Sequence, residues 1–341
     1  MLDWLLLGLV LISSCALTGI LRRYAIKQNM LDVPNVRSSH SVPTPRGGGF
    51  SIVMTCLCAT LFLFIIGRVP LDAFMALFGG GLLVAGIGFW DDHCHIPIYL
   101  RISIHFAAAA WALVWLGGFP PLPVGKIILD LGWFGHIICL VLLVWLLNLY
   151  NFMDGIDGIA GIEAVCIAGG AALILLNKGV AGVQPLWLGI VTASCAGFLA
   201  WNWPPARIFM GDVGSGFLGF ILGIFAILTS ASGDLSIWTW LILFGIFLVD
   251  ATLTLLRRMI RGKRWYEAHR SHAYQHAARL WASHRKVTLA ILGINIVWLL
   301  PLAWYAAMRP GLGFALTGIA FCPLLVLALK LGAGKEETPD G

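Results

Sequence analysis

An all-α integral membrane protein is the predicted fold class: a polytopic helical bundle of about 10–11 transmembrane helices, N-terminus outside, active site at the cytoplasmic face. Three observations predict it: the composition, the number of long apolar runs, and the one-sided placement of basic residues. Of 341 residues, 60% are hydrophobic and 11% charged, against roughly a quarter charged in an ordinary soluble domain. Such a chain cannot cover an aqueous surface, so lipid must be the solvent for most of it.

A spanning helix needs about 20 mostly apolar residues. Eleven runs qualify, near 2–21, 48–67, 72–90, 102–118, 132–150, 159–176, 184–201, 214–231, 235–256, 287–306 and 312–331. They are too long for the strands of an outer-membrane barrel and do not alternate polar with apolar. The first run follows only Met1, Leu2 and Asp3 and closes on Arg22 and Arg23. That pattern predicts a retained helix and not a cleaved leader. Cys56 and Cys58 are two apart on a helix and face different ways, so neither a zinc pair nor a disulfide is expected.

With the N-terminus outside, 18 of the 22 Lys and Arg residues fall on the inner side. Only Arg68, Lys126, Lys178 and Arg309 remain outside, as the positive-inside rule requires. These cations are juxtamembrane, so membrane lipid or a phosphate-bearing substrate is the expected partner, and no nucleic acid is. Residues 1–341 read as one polytopic domain, with a large cytoplasmic loop at 257–286 and a short tail at 332–341. The unusual polar residues cluster in the inner loops. A transporter would place some of them at the bilayer midplane.

Asp91 and Asp92 end the third run. Acids at a helix C-terminus oppose the macrodipole, but in an interfacial turn both could serve one site. In Asn151-Phe-Met-Asp154-Gly-Ile-Asp157-Gly-Ile-Ala-Gly161, polar residues recur every third position between glycines. On a helix they would spread over an arc of about 120°, and the glycines would let a ligand or backbone approach. Their hard oxygens suit Mg²⁺ shared with a diphosphate. Asn202-Trp-Pro-Pro-Ala-Arg-Ile-Phe209-Met-Gly-Asp212 is a second oxygen-bearing loop. It leads into a helix N-terminus of the kind that favours phosphate, and Phe209 is placed to stack on a base. His269, His272 and His276 would share a face if helical, and as donors to phosphate or sugar oxygens they need no metal. His93 and His95 read as interfacial loop residues. Asp250, inside the ninth run, is either functional, paired with a buried Arg, or the cap of a neighbouring helix end.

Together these motifs resemble the polyprenyl-phosphate N-acetylhexosamine-1-phosphate transferases, in family order from about residue 30 to 286. The resemblance implies Asp154 and Asp212 close to Mg²⁺ with Asn151 beside them, Mn²⁺ being an acceptable substitute. It implies that Asp157, Asn202 and Phe209 hold the uridine of a UDP-N-acetylhexosamine, and that Asp91 and Asp92 meet undecaprenyl phosphate. Asp91, Asp92 and Asp154 are then the candidate catalytic residues. Pro43-Thr-Pro-Arg46-Gly-Gly-Gly49 resembles the family's first cytoplasmic loop, which adds Arg46 to the substrate-binding set with His269, His272 and His276.

The histidine stretch, His269-Arg-Ser-His272-Ala-Tyr-Gln-His276, resembles the O-antigen-initiating transferases, some of which use 6-deoxy amino sugars. Ala273 and Tyr274 would then present an apolar surface near C6. The resemblance also implies a bacterial inner-membrane location, and leaves a homodimer open. Two other classes remain for comparison. A CDP-alcohol phosphatidyltransferase would continue Asp154-x-x-Asp157-Gly with Ala-Arg and further acids, but Gly161 stands where the Arg belongs. A lipid or solute transporter would leave the acid-bearing inner loops unexplained.

Overall fold

The computed structural model describes residues 2–34, 42–94, 96–263 and 269–335. Position 95, Arg264 and the stretch 35–41 of the first inner loop lie outside the described residues. Thirteen helices carry the described chain: α1 (Leu2–Lys27), α2 (Phe50–Ile65), α3 (Leu71–His93), α4 (Ile98–Leu116), α5 (Gly132–Met153), α6 (Ile159–Asn177) and α7 (Gln184–Asn202), followed by α8 (Asp212–Ala231), α9 (Ile237–Leu243), α10 (Gly245–Ile260), α11 (Ala273–Leu280), α12 (His284–Met308) and α13 (Pro310–Lys330).

Each of the eleven apolar runs forms helix. Nine described helices are long and apolar enough to cross a membrane, and the pair α9–α10, bent by 77°, makes a tenth. The remaining run, α2, has 16 residues. Two short antiparallel ladders, which the apolar pattern does not announce, close loops: Leu31–Asp32 with Thr44–Pro45, and Leu122–Val124 with Ile127–Leu129. As expected, Cys56 is buried and Cys58 exposed.

Helix α8 is the axle of the bundle. Of its best 18-residue window, 89% is buried, against 17% for α1. It packs on α2, α3 and α5. Glycines make the close crossings possible, the usual device where both lipid and protein are apolar. A Cβ at Gly88 of α3 would come within 2.7 Å of the Val213 Cα, and one at Gly49 within 2.5 Å of the Gly214 Cα. On the other flank α7 lies between α1 and α6.

Chain direction alternates down the bundle. The C-terminal ends of α1, α3, α5 and α7 therefore meet the N-terminal ends of α2, α4, α6 and α8 at one end. That end gathers the inner-loop motifs, while Asp3, Arg68 and the 122–129 ladder sit at the other.

Candidate active site

Asp91 and Asp92 sit in the last turn of α3, not in a turn beyond it, and the helix separates their tasks. Asp92 reaches across to the start of α8, where its Oδ1 accepts the Asp212 N–H at 3.0 Å and its Oδ2 the Val213 N–H at 3.1 Å. Those amides have no partner within their own helix, so Asp92 caps α8 from a neighbouring span. Gly211, at φ +78°, is what lets it in: a Cβ there would lie 2.6 Å from the Asp92 Oδ2. Arg46 closes the other side, donating to the Asp92 carbonyl at 2.6 Å and lying 3.5 Å from its Oδ1. With its side chain 2% exposed, Asp92 is committed to this role. The helix N-terminus that the sequence suggests for phosphate thus holds a carboxylate.

Asp91 turns the other way. Arg101, one turn into α4, places Nη1 2.6 Å from the Asp91 Oδ2 and 3.3 Å from the Asp212 Oδ2. The carboxyls of Asp91 and Asp212 also touch each other. Arg101 is the residue that motif reading missed. Its signal was present, since it is the one Lys or Arg in an otherwise apolar span. Behind it a small recess is lined by His105, Asn148, Asn151 and Gly216.

The Asn151–Asp157 motif is not one helix. Helix α5 ends at Met153, so Asn151 occupies its last turn, Asp154 its C-cap, and Asp157 the loop beyond. Asn151 donates to the Ser215 Oγ at 3.2 Å, which ties it to α8. Burial pushes the Asp154 carboxyl well above its ordinary value, and the charges of Asp212, Asp92 and Asp157 add to the push. Five acids, Asp91, Asp92, Asp154, Asp157 and Asp212, thus share this end of the bundle, with Arg101 beside Asp91 and Asp212 and Arg46 beside Asp92. Their oxygens are of the hard type that Mg²⁺ takes, though among the described residues no three His, Cys, Asp or Glu side chains close around a common point. Mg²⁺ usually binds through one or two carboxylates, with substrate phosphates and waters completing its shell. The donor set fits that mode and not a closed protein cage.

Two residues expected to hold a nucleotide are engaged within the protein. The Asn202 Oδ1 accepts the Gly158 N–H at 3.0 Å, and its Nδ2 donates to the Ile208 carbonyl at 2.9 Å. Buried Asn202 therefore staples the α5–α6 loop to the α7–α8 loop. The Asp157 Oδ2 accepts the Ala206 N–H at 3.0 Å, and His284 Nδ1 lies 3.3 Å from its Oδ1. Phe209 is half-buried, and its backbone bonds to Pro45 and Gly48 of the first loop. The 43–49, 151–158 and 202–212 segments thereby form one platform.

The histidines do not share a helical face, because α11 begins only at Ala273. His272 is its N-cap residue, 2% exposed, with Nδ1 3.4 Å from the Asp250 Oδ1. His269 shares a 3.1 Å hydrogen bond with the Ser271 Oγ. Burial lowers its pKa to about 3, with His272 and Arg258 adding to the shift. His276 lies within α11, with Nδ1 3.0 Å from Arg279. Asp250 is the helix cap that the sequence left among its alternatives, accepting the Ala273 N–H at 2.8 Å and the Tyr274 N–H at 2.9 Å. Ala273 and Tyr274 are 5% and 4% exposed, and the little surface they leave open lines an apolar cavity with Ile246, Ile291 and Leu327. The Tyr274 hydroxyl donates to the Phe152 carbonyl at 3.0 Å. His93, on an exposed turn, bonds the Phe89 carbonyl.

Residues 74–230, which run from α3 through nearly all of α8, match glycosyl transferase family 4. The undecaprenyl-phosphate alpha-N-acetylglucosaminyl 1-phosphate transferase of Haemophilus influenzae is 32% identical over 289 residues, covering 82% of this chain and 80% of that protein. The decaprenyl-phosphate N-acetylglucosaminephosphotransferase of Mycobacterium leprae is 29% identical, covering 82% of this chain and 78% of its own. The phospho-N-acetylmuramoyl-pentapeptide-transferase of Bacillus licheniformis is 28% identical, covering 82% of this chain and 92% of its own.

Proposed function

Because the chain belongs to the polyprenyl-phosphate N-acetylhexosamine-1-phosphate transferases, we propose that it moves an N-acetylhexosamine-1-phosphate from a UDP-sugar to undecaprenyl phosphate, releasing UMP. The observation that carries this reading is the meeting of Asp91, Asp212 and Arg101, with Asp154 nearby, at the end of a membrane bundle.

In the reaction an oxygen of the lipid phosphate forms a bond to the β-phosphorus of the donor. The bond from that phosphorus to the oxygen bridging the α-phosphorus breaks, and UMP leaves with the electron pair. One phosphoanhydride replaces another, so the step is close to thermoneutral and reversible. Both reactants are anions, and the site must offset their repulsion. Asp154 and Asp212, with Asn151 beside them, would hold Mg²⁺, which when bound neutralises diphosphate charge. Arg101 meets phosphate oxygens at the rim, and Asp91 beside it orients the acceptor. Asp92 and Arg46 act one step back, fixing the start of α8. A lipid phosphate is already largely ionised at pH 7, so direct attack needs no strong base and is favoured over an aspartyl-phosphate intermediate.

The basic residues support a cytoplasmic site in a bacterial inner membrane with the N-terminus outside, since 18 of 22 fall in the segments that the charge pattern places inside. The histidine stretch supports an O-antigen-initiating role, with a 6-deoxy N-acetylhexosamine among the candidate donors. The test is UMP release by purified protein from a panel of UDP-sugars, with undecaprenyl and decaprenyl phosphate as acceptors. Release should require both substrates and a divalent cation. Undiminished turnover in EDTA would overturn the metal assignment, and no release with any pair would overturn the reaction.

A further inference from the structure

Among the described residues, α11 reaches the Asp154 turn through Tyr274. Tyr274, second residue of α11, sends its hydroxyl to the Phe152 carbonyl, two residues before Asp154. The same hydroxyl lies against Gly155, where a Cβ would collide with it. One phenol therefore grips the Asp154 turn from both sides. Such a grip needs a fixed base, and Asp250 supplies it. Buried in α10, Asp250 accepts the first two amides of α11, the Thr254 hydroxyl at 3.1 Å, and lies beside His272. The His272 and Tyr274 rings stack at 5.7 Å and 25°.

We propose that Tyr274 is a positioning residue for Asp154, held in place by Asp250 and His272, and that the histidine-bearing segment acts on the reaction through this contact. Only the effect on turnover rests on the transferase reading; the clamp itself is structural. Asp154 sits at a helix C-cap, and the Tyr274 hydroxyl is the side-chain contact nearest to it along the chain, the loop beyond being held at Asp157 by Ala206, His284 and Thr288 and at Gly158 by Asn202. Positioning errors near 1 Å can cost about a hundredfold in rate, so losing the restraint nearest Asp154 should be felt in kcat.

The experiment compares full-length parent, Tyr274→Phe, Gly155→Ala and the double variant in detergent. Two readouts are used: backbone hydrogen exchange over residues 152–158, and kcat and KM for donor and acceptor. Tyr274→Phe keeps the ring and loses the hydroxyl. It should speed exchange in that turn and lower kcat roughly tenfold, with both KM values within about twofold of the parent. Gly155→Ala should do worse, and the added Tyr274→Phe should recover part of its loss by making room for the methyl. Unchanged exchange in Tyr274→Phe would overturn the clamp whatever the reaction. A loosened turn in Tyr274→Phe, together with a parent that releases no UMP, would leave the clamp standing and sink the transferase reading. Losses in KM alone, or no recovery in the double variant, would also overturn the proposal.

Discussion

Two helices in this protein begin in the same way and do different things. Helix α8 opens with its first two amides on Asp92, and α11 opens with its first two amides on Asp250. In both, a buried carboxylate from a neighbouring span caps a helix that follows a loop. The capped start of α8 delivers Asp212, an acid whose side chain stays 35% exposed beside Arg101. The capped start of α11 delivers Tyr274, which is buried and bonds only protein. On the proposed reaction, the same local device serves chemistry in one place and support in the other. What distinguishes them is whether the delivered side chain faces a cation at the rim or a sealed interior.

The sharpest break in this pairing is at the delivered residue. Asp212→Asn should lower UMP release by at least about 10³-fold, since it removes charge where the donor diphosphate is held, while leaving the melting temperature in detergent near that of the parent. Retained turnover would mean that α8 contributes only its cap. Next come the caps themselves. Asp92→Asn and Asp250→Asn should each cost about 1–3 kcal/mol of stability, as buried hydrogen-bonded carboxylates do. Asp92→Asn should lower kcat far more, because it displaces Asp212 directly, and equal kcat losses would erase the distinction drawn here. Phe209→Ala should weaken every UDP-sugar by about 1–3 kcal/mol in a UMP-competition assay, the scale of a base stacked on an aromatic ring. Equal inhibition of variant and parent by UMP would make Phe209 a packing residue.

The smallest effect is one of pH. His269, facing His272, Arg258 and Asp250, has a folded pKa of about 3, below the ordinary 6.5. Its neutral form is the folded form, so its contribution to stability is whole above pH 6.5 and lost as pH falls from there towards 3. Lowering pH from 7.5 to 5 should speed exchange over residues 269–280, and His269→Gln should blunt that response. An identical response in the variant would assign it to another group.

The eleven apolar runs, the one-sided polar loops and the acids of the site are all legible in the chain, because length, charge and spacing are local properties. The difference between neighbours was not. Asp91 and Asp92 look alike in sequence, and only the packing of α3 against α8, permitted by Gly88 and Gly211, turns one to the rim and the other to backbone amides. Asn202 could as well have met a base as a loop, and which it does depends on segments some forty residues apart. Tyr274 was misjudged because its neighbours in sequence are polar, whereas its surroundings are set by Asp250 and Gly155, distant in the chain.

The shortness of α2 bears on how the two substrates meet. Its 16 residues rise only about 24 Å, against roughly 30 Å of hydrocarbon in an ordinary bilayer. At its far end Arg68 is bonded to Asp3, a charged pair that belongs at the water boundary. The deficit of about 6 Å therefore falls at the other end, beneath Gly47–Gly49 and the platform they support. The leaflet must thin there, or let water down to the carboxylates. On the proposed reaction, a lipid phosphate beside α2 would then lie near the depth of Asp91, and a water-soluble nucleotide would descend to the lipid instead of drawing the lipid out.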